Sequence, residues 1–345
     1  MGTQPDIRRI FVLTTNNQLG DVLCSVPLFA ALKQTYPGSH VTLAASPASY
    51  PLDLKTLIPS VDEIFFHPFR LRRPRDLLQC ARRLRAGRFD VGIVPSTFKV
   101  SSNCHLIAYL SGAPVRVGVG RVDGIRNPYG FLLNARGDFQ WKHVHQIQRH
   151  LDIAGLAGCR STVEDAAGTG IGTSASDADE ARRFLAACFP DRSRAIVGLH
   201  VGAGEPPRVW PADRFTALAK RLFECARCQF LFTVGPLDEA IVGGIRSALA
   251  ADGIASRVFR EEGLGRLAAV LKQIDLYVTN NSGAMHVAHF AQALMVAMTP
   301  SEYVETWCYQ SERERTLHAA AIDDITVDQV FDACVNMIRT RRMDT

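Results

Sequence analysis

Ile10-Phe11-Val12-Leu13-Thr14, then Asn16-Asn17-Gln18-Leu19-Gly20, then a helical pattern over residues 22–36 stopped by Pro37-Gly38: this stretch decides the fold. Its first five residues are a short, β-rich apolar run, the next are a polar turn, and the rest repeat apolar side chains at helical spacing. A strand entering a helix through a turn is half of a βαβ unit. Working outward, residues 40–45, 63–66, 90–94 and 115–118 read as further strands separated by helix-length segments. Strands that alternate with helices predict an α/β fold, a parallel sheet covered by helices on both faces.

The same pattern starts again further along. Residues 195–200, 229–234, 257–259, 276–279 and 294–298 read as strands, with helical patterns over 213–226 and 264–274 between them. From about 155 to 176 the chain turns to Ala, Gly, Ser and Thr with little apolar periodicity, which is linker-like. A chain of 345 residues also exceeds what one core serves, since single cores stop growing near roughly 250–300 residues. Two parallel-sheet domains are therefore expected, over residues 1–160 and 193–325, with a linker over 161–192 and a terminal helix over 326–345.

Composition narrows the class. An apolar content of 47% with 21% charged residues excludes a disordered or fibrous chain. No apolar run reaches the roughly 18 residues a membrane helix needs, and residues 1–9 lack a secretion-type apolar stretch, so a cytoplasmic protein is expected. The nine cysteines stand singly apart from Cys225-Ala226-Arg227-Cys228, which has no second pair at zinc-ligand spacing; buried thiols and no metal site are expected. Net charge is +5, with a basic cluster at Arg70, Arg72, Arg73, Arg75, Arg82, Arg83, Arg85 and Arg88. It reads as the wet face of a helix whose dry face is Leu77, Leu78, Ala81 and Leu84, and it suits an acidic partner.

In parallel sheets ligands bind beyond the carboxyl ends of the strands, which points to the loops after Thr14, His200, Val234 and Thr279. Asp21 follows the first strand, either as a general base at the mouth of a site or as the N-cap of the next helix. Thr279-Asn280-Asn281-Ser282-Gly283-Ala284-Met285-His286 opens a helix, either as a phosphate site or as a plain turn capped by Asn281 or Ser282. Arg208 is the cation of a Gly- and Pro-rich loop, there to grip phosphate oxygens or to lie along Trp210. Gly118-Val119-Gly120 with Gly124 fails the dinucleotide-loop spacing.

Taken together and in order, five motifs resemble glycosyltransferase family 9, the lipopolysaccharide heptosyltransferases, over about residues 7–309. They are Leu19-Gly20-Asp21-Val22 with Pro27-Leu28, Pro59-Ser60-Val61-Asp62-Glu63, the loop from Gly202 to Pro211, Gly235-Pro236-Leu237-Asp238-Glu239, and the turn from Asn281 to His286. The resemblance implies a GT-B fold, two Rossmann-like domains facing each other across a cleft, with the terminal helix packing back toward the first. It implies an acceptor site in the first domain, with Asp21 as base and Asn17, Gln18 and Gly20 beside it. It implies a donor site in the second, with Arg208 on the phosphates, Glu239 on the ribose, and Asn281, Ser282, Gly283 and His286 at the helix start.

The implied activity is inverting, metal-independent transfer of heptose from ADP-heptose to a lipopolysaccharide-core type of acceptor. No cofactor is implied beyond the nucleotide-sugar co-substrate. The implied partners are that nucleotide sugar, an acidic or lipid-linked saccharide and the inner membrane surface, with no nucleic acid. Three residues depart from the family pattern: Asn281 where Asp is usual, Thr299 near an expected Gly, and Leu294 for a common Pro. They keep open a different donor, a nucleotide-sugar epimerase or hydrolase, and a binding protein that has lost catalysis.

Overall fold

The computed structural model describes residues 7–14, 18–45, 54–66, 74–97, 99–162, 165, 171–235, 238–260 and 263–343. The chain forms two compact units, Met1–Thr169 and Gly170–Thr345. In the first, the strands are β1 (Arg9–Thr14), β2 (His40–Ala45), β3 (Glu63–Phe66), β4 (Val91–Val94), β5 (Val115–Val122), β6 (Ile125–Arg126) and β7 (Ala135–Phe139). They lie in the order β3-β2-β1-β4-β5-β6, with β7 also pairing β5. All pairings are parallel except β5 with β6. Central β1 sets Val12 between Leu43 and Ile93, and its residues Ile10, Phe11, Val12 and Leu13 are buried, as an unbroken apolar run requires.

The chain runs outward from β1 to β3 and then returns to place β4 on the other side of β1. That reversal leaves a crevice at the carboxyl ends of β1 and β4. The helix expected over residues 22–36 is two helices, Leu19–Cys24 and Val26–Thr35. Pro27, in the first turn of the second, has no N–H to continue a helical ladder, and the Ser25 hydroxyl donates back to the Val22 carbonyl at 2.6 Å, so the chain breaks between them. On the basic helix Pro74–Ala86, Leu78 is 44% exposed, contrary to expectation; Cys80, Ala81 and Leu84 form the dry face. Arg70, Arg72 and Arg73 lie outside the described residues.

The second unit holds β8 (Ile196–His200), β9 (Gln229–Val234), β10 (Ser256–Arg260), β11 (Leu276–Asn280), β12 (Met295–Pro300) and β13 (Glu314–Ala319), all parallel, in the order β10-β9-β8-β11-β12-β13. Here the order reverses between β8 and β11. Residues expected to be linker include the helix Ala175–Cys188, opened by a capping box in which Ser174 and Asp177 bond reciprocally. Its Phe184 meets Phe259 edge to face at 5.3 Å. The terminal helix, Val327–Met343, brings Val330, Cys334 and Ile338, each four residues apart, into the core of the second unit beside Phe215 and Leu222. Among the described residues no helix is long and apolar enough to cross a membrane.

Candidate functional site

In the first unit, the loops beyond β1 and β4 line one pocket of about 20 Å³, room for about one water. Asp21, Ser96, Thr97, Lys99, Ser101 and His150 supply its polar lining. Asp21 is not a helix cap. The helix begins at Leu19, with Gln18 in the cap position making no side-chain cap bond, so Asp21 falls in the first turn and is half-buried. Gln18 and Gly20 flank it on that helix start, and Asn17 lies outside the described residues.

Ser96 holds φ at +48°, a left-handed backbone that a serine adopts only when its surroundings impose it. The helix Gln146–Leu156 does the imposing. Gln146 Nε2 donates to Thr97 Oγ1 at 2.6 Å, Arg149 Nη1 donates to the Thr97 carbonyl at 3.2 Å, and His150 Nε2 lies 3.5 Å from the same hydroxyl. Arg149 is itself fixed on the carbonyls of Val144 and Trp141, at 2.9 and 2.7 Å. Burial, with the Arg149 charge adding to it, pulls the His150 imidazole down to about 3, so it enters the pocket as a neutral ring. Sequence reasoning missed Ser96, Thr97, Lys99 and His150. Their signal was topological: a strand beside β1 whose carboxyl end opens at the reversal.

In the second unit the equivalent place lies beyond β8 and β11, and one buried side chain joins the two loops there. Asn280 accepts from the Trp210 backbone N–H at 3.1 Å and donates to the Val201 carbonyl at 2.8 Å. The loop after β9 packs against the same place. A Cβ on Gly202 would stand 2.2 Å from Asp238 Oδ1, so only glycine permits that approach. His200, at the end of β8, lies 3.1 Å from the Thr233 carbonyl; burial lowers its pKa, and Asp238 opposes the shift.

The Arg208 guanidinium is held by Tyr303 and Glu205. Trp210 is buried, its Nε1 donating to the Ile325 carbonyl at 2.9 Å, and the Arg208 guanidinium sits over the Tyr303 ring at 5.2 Å with Glu205 at 3.3 Å. The side chain is 16% exposed. Burial pushes the Cys308 thiol up to about 12 while the nearby Arg208 charge pulls the other way. Cys308 Sγ also accepts from Asn281 Nδ2 at 3.7 Å, so Arg208 and the turn after β11 meet around it.

Asn281 is 1% exposed and donates to Thr299 Oγ1 at 3.1 Å. The Thr299 hydroxyl lies 3.3 Å from the Pro300 carbonyl, to which it donates while accepting from the Asn281 amide, an arrangement in which a carboxylate at 281 could not act as the donor. Two of the three departures from the family pattern are therefore partners of each other. Ser282 occupies the cap position of the helix Gly283–Phe290, but its hydroxyl makes no cap bond, which leaves the first N–H groups to an anion. His286, in the first turn and buried, has Nδ1 2.7 Å from the Tyr309 hydroxyl. Glu239 starts the helix Glu239–Ala251 and is exposed, paired with Arg260 at 2.9 Å. It stands beyond β9, at the edge of this cluster.

A family model described as glycosyltransferase family 9 (heptosyltransferase) matches residues 77–314. No curated protein matches the chain by sequence. Among solved structures, a family 9 glycosyl transferase from Veillonella parvula is 20% identical with a TM-score of 0.78, covering 96% of this chain and 97% of that one. The E. coli ADP-heptose lps heptosyltransferase II is 21% identical with a TM-score of 0.73, covering 97% and 99%. E. coli heptosyltransferase WaaC with ADP-2-deoxy-2-fluoro heptose is 15% identical with a TM-score of 0.69, covering 95% and 99%. At such identities the likeness to these structures is one of fold.

The buried neutral His150 has a measurable consequence. An unfolded histidine titrates near about 6.5, whereas the native ring is held at about 3. The unfolded chain thus takes up a proton that the native one refuses. Its contribution to stability is intact above about 6.5 and is lost as pH falls from there toward 3, by about 1.4 kcal/mol per pH unit. Urea unfolding followed between pH 7 and 4 should show a shallower loss of stability in His150→Gln than in the wild type; equal slopes would contradict the assignment.

Proposed function

The chain belongs to glycosyltransferase family 9 and is a glycosyltransferase, and from that premise we propose that it moves a heptose from ADP-heptose to a saccharide acceptor of the lipopolysaccharide-core type, with inversion. The observation that carries this reading is the pair of sites at the two sheet reversals: a carboxylate in one, and in the other a half-buried guanidinium beside a helix start without a side-chain cap. The E. coli relatives named for ADP-heptose and heptosyl transfer support the choice of donor.

In the proposed reaction Asp21 accepts the proton of the acceptor hydroxyl as its oxygen attacks the anomeric carbon. The new C–O bond forms as the bond to the diphosphate breaks on the opposite face, and the electron pair leaves with ADP. Arg208, the N–H groups of Ser282 and Gly283, and His286 meet the charge growing on that diphosphate. Positioned base catalysis contributes about 10²–10⁴-fold, and a preorganised donor about 10²–10³-fold. A guanidinium and a helix start take the role a metal ion would have, and no cofactor beyond the nucleotide-sugar co-substrate is called for. Glu239 is assigned to the ribose, and Asn17, Gln18 and Gly20 to the acceptor.

The Asn281 to Thr299 bond bears on the alternative of a binding protein without catalysis. A substitution whose new donor is matched by a new acceptor favours a retuned donor site over a ruined one.

We place the reaction at the cytoplasmic face of the inner membrane. Ile125 and Phe131 are 77% and 69% exposed, and Arg126, next to Ile125 in β6, sits opposite Arg121 in β5. Apolar tips beside arginines suit an anionic bilayer, and Arg75, Arg82, Arg85 and Arg88 suit an acidic acceptor. Co-sedimentation with anionic vesicles should fall in Ile125→Asp/Phe131→Asp; binding equal to the wild type would remove this part.

For the chemistry, Asp21→Asn should lose about 100-fold or more in turnover while calorimetry shows ADP bound as in the wild type. Turnover within a few-fold of wild type would refute the base. Absence of ADP binding, with another nucleoside diphosphate bound well, would refute the donor.

A further inference from the structure

His286 is the end of a buried chain of side chains. Its Nδ1 lies 2.7 Å from the Tyr309 hydroxyl. The Tyr309 ring lies flat on the imidazole of His289, centroids 3.5 Å apart and planes 3° from parallel. His289 Nδ1 in turn contacts Glu314 Oε1 at 2.6 Å, and the second oxygen of that carboxylate accepts from the Ser311 hydroxyl at 2.9 Å. The side chains of His289 and Glu314 are 12% and 8% exposed. Tyr309 thus touches both histidines, one with its hydroxyl and the other with its face.

A neutral imidazole has one donor and one acceptor nitrogen, and the partner of the first decides the state of the second. A phenol can either donate to Nδ1 or accept from it. Of the two, the phenol is the stronger donor and the weaker acceptor, because its oxygen shares electron density with the ring, whereas an imidazole nitrogen lone pair accepts well. We propose that Tyr309, its ring held flat against His289, is a positioning residue which donates to Nδ1 and locks His286 as the Nε2–H tautomer. An Nε2–H meets a diphosphate oxygen as a donor; the other tautomer would present a lone pair to it. The inference rests on the proposed role of His286 at the leaving diphosphate, but the tautomer itself does not.

The test is ¹⁵N–¹H correlation spectroscopy on histidine-labelled protein, with the His286 signals identified by their loss in His286→Gln. The wild type should show the Nε2–H pattern. Tyr309→Phe keeps the ring on His289 and removes only the hydroxyl, so the pattern should move toward a mixture, with kcat down about tenfold and the acceptor KM unchanged. A wild-type Nδ1–H pattern would overturn the proposal, and so would an unaltered pattern in Tyr309→Phe. The wild-type spectrum decides even if that variant does not fold. A protein that transfers no sugar yet shows the expected tautomer would refute the function proposed above and leave the lock standing.

Discussion

A single buried amide organises the second unit. Asn280 ends β11, and with one side chain it binds the loop that follows β8, accepting from Trp210 and donating to Val201. A buried amide left without partners costs about 1–3 kcal/mol, so the loop is held where the amide can be satisfied. Arg208 lies two residues before Trp210 and is therefore placed by that bond. The turn from Asn281 begins at the next residue along. The phosphate-facing groups of the proposed mechanism depend on Asn280, though it is assigned no part in the reaction.

The first unit solves the same problem differently. Its loop after β4 is held from a neighbouring helix, by Gln146 and Arg149 on Thr97, and the backbone at Ser96 is driven into a left-handed conformation. Each unit thus puts reactive groups on the loops at its own sheet reversal and rigidifies them with buried polar side chains. This is how loops reach the positional accuracy that oriented base catalysis and electrostatic stabilisation require.

How much of this was legible in the sequence follows from what each element buries. Strands such as β2 and β9 are buried almost throughout, and their apolar runs disclosed their bounds. β13 was missed because Glu314, Arg315 and His318 disguise an edge strand, although Glu314 and Thr316 are the residues it turns inward. The helix Ala175–Cys188 was hidden by its alanines in a Gly- and Ser-rich stretch; Ser174 with Asp177 was the one local sign of it. Asp21 stood out in the sequence, but Gly20, a poor helix former, concealed that the helix already begins at Leu19. Asn280 and Tyr309 could not be found at all from sequence. Their importance lies in contacts across 70 and 23 residues, which only the fold brings together.

The central claim is a direct displacement at the anomeric carbon, with Asp21 as base and the diphosphate as leaving group. The anomeric configuration of the transferred sugar tests it most directly, read by proton NMR on product formed from ADP-heptose of known configuration. Inversion is the predicted result. A product that retains the donor's configuration would require a second displacement or front-face attack and would contradict the account.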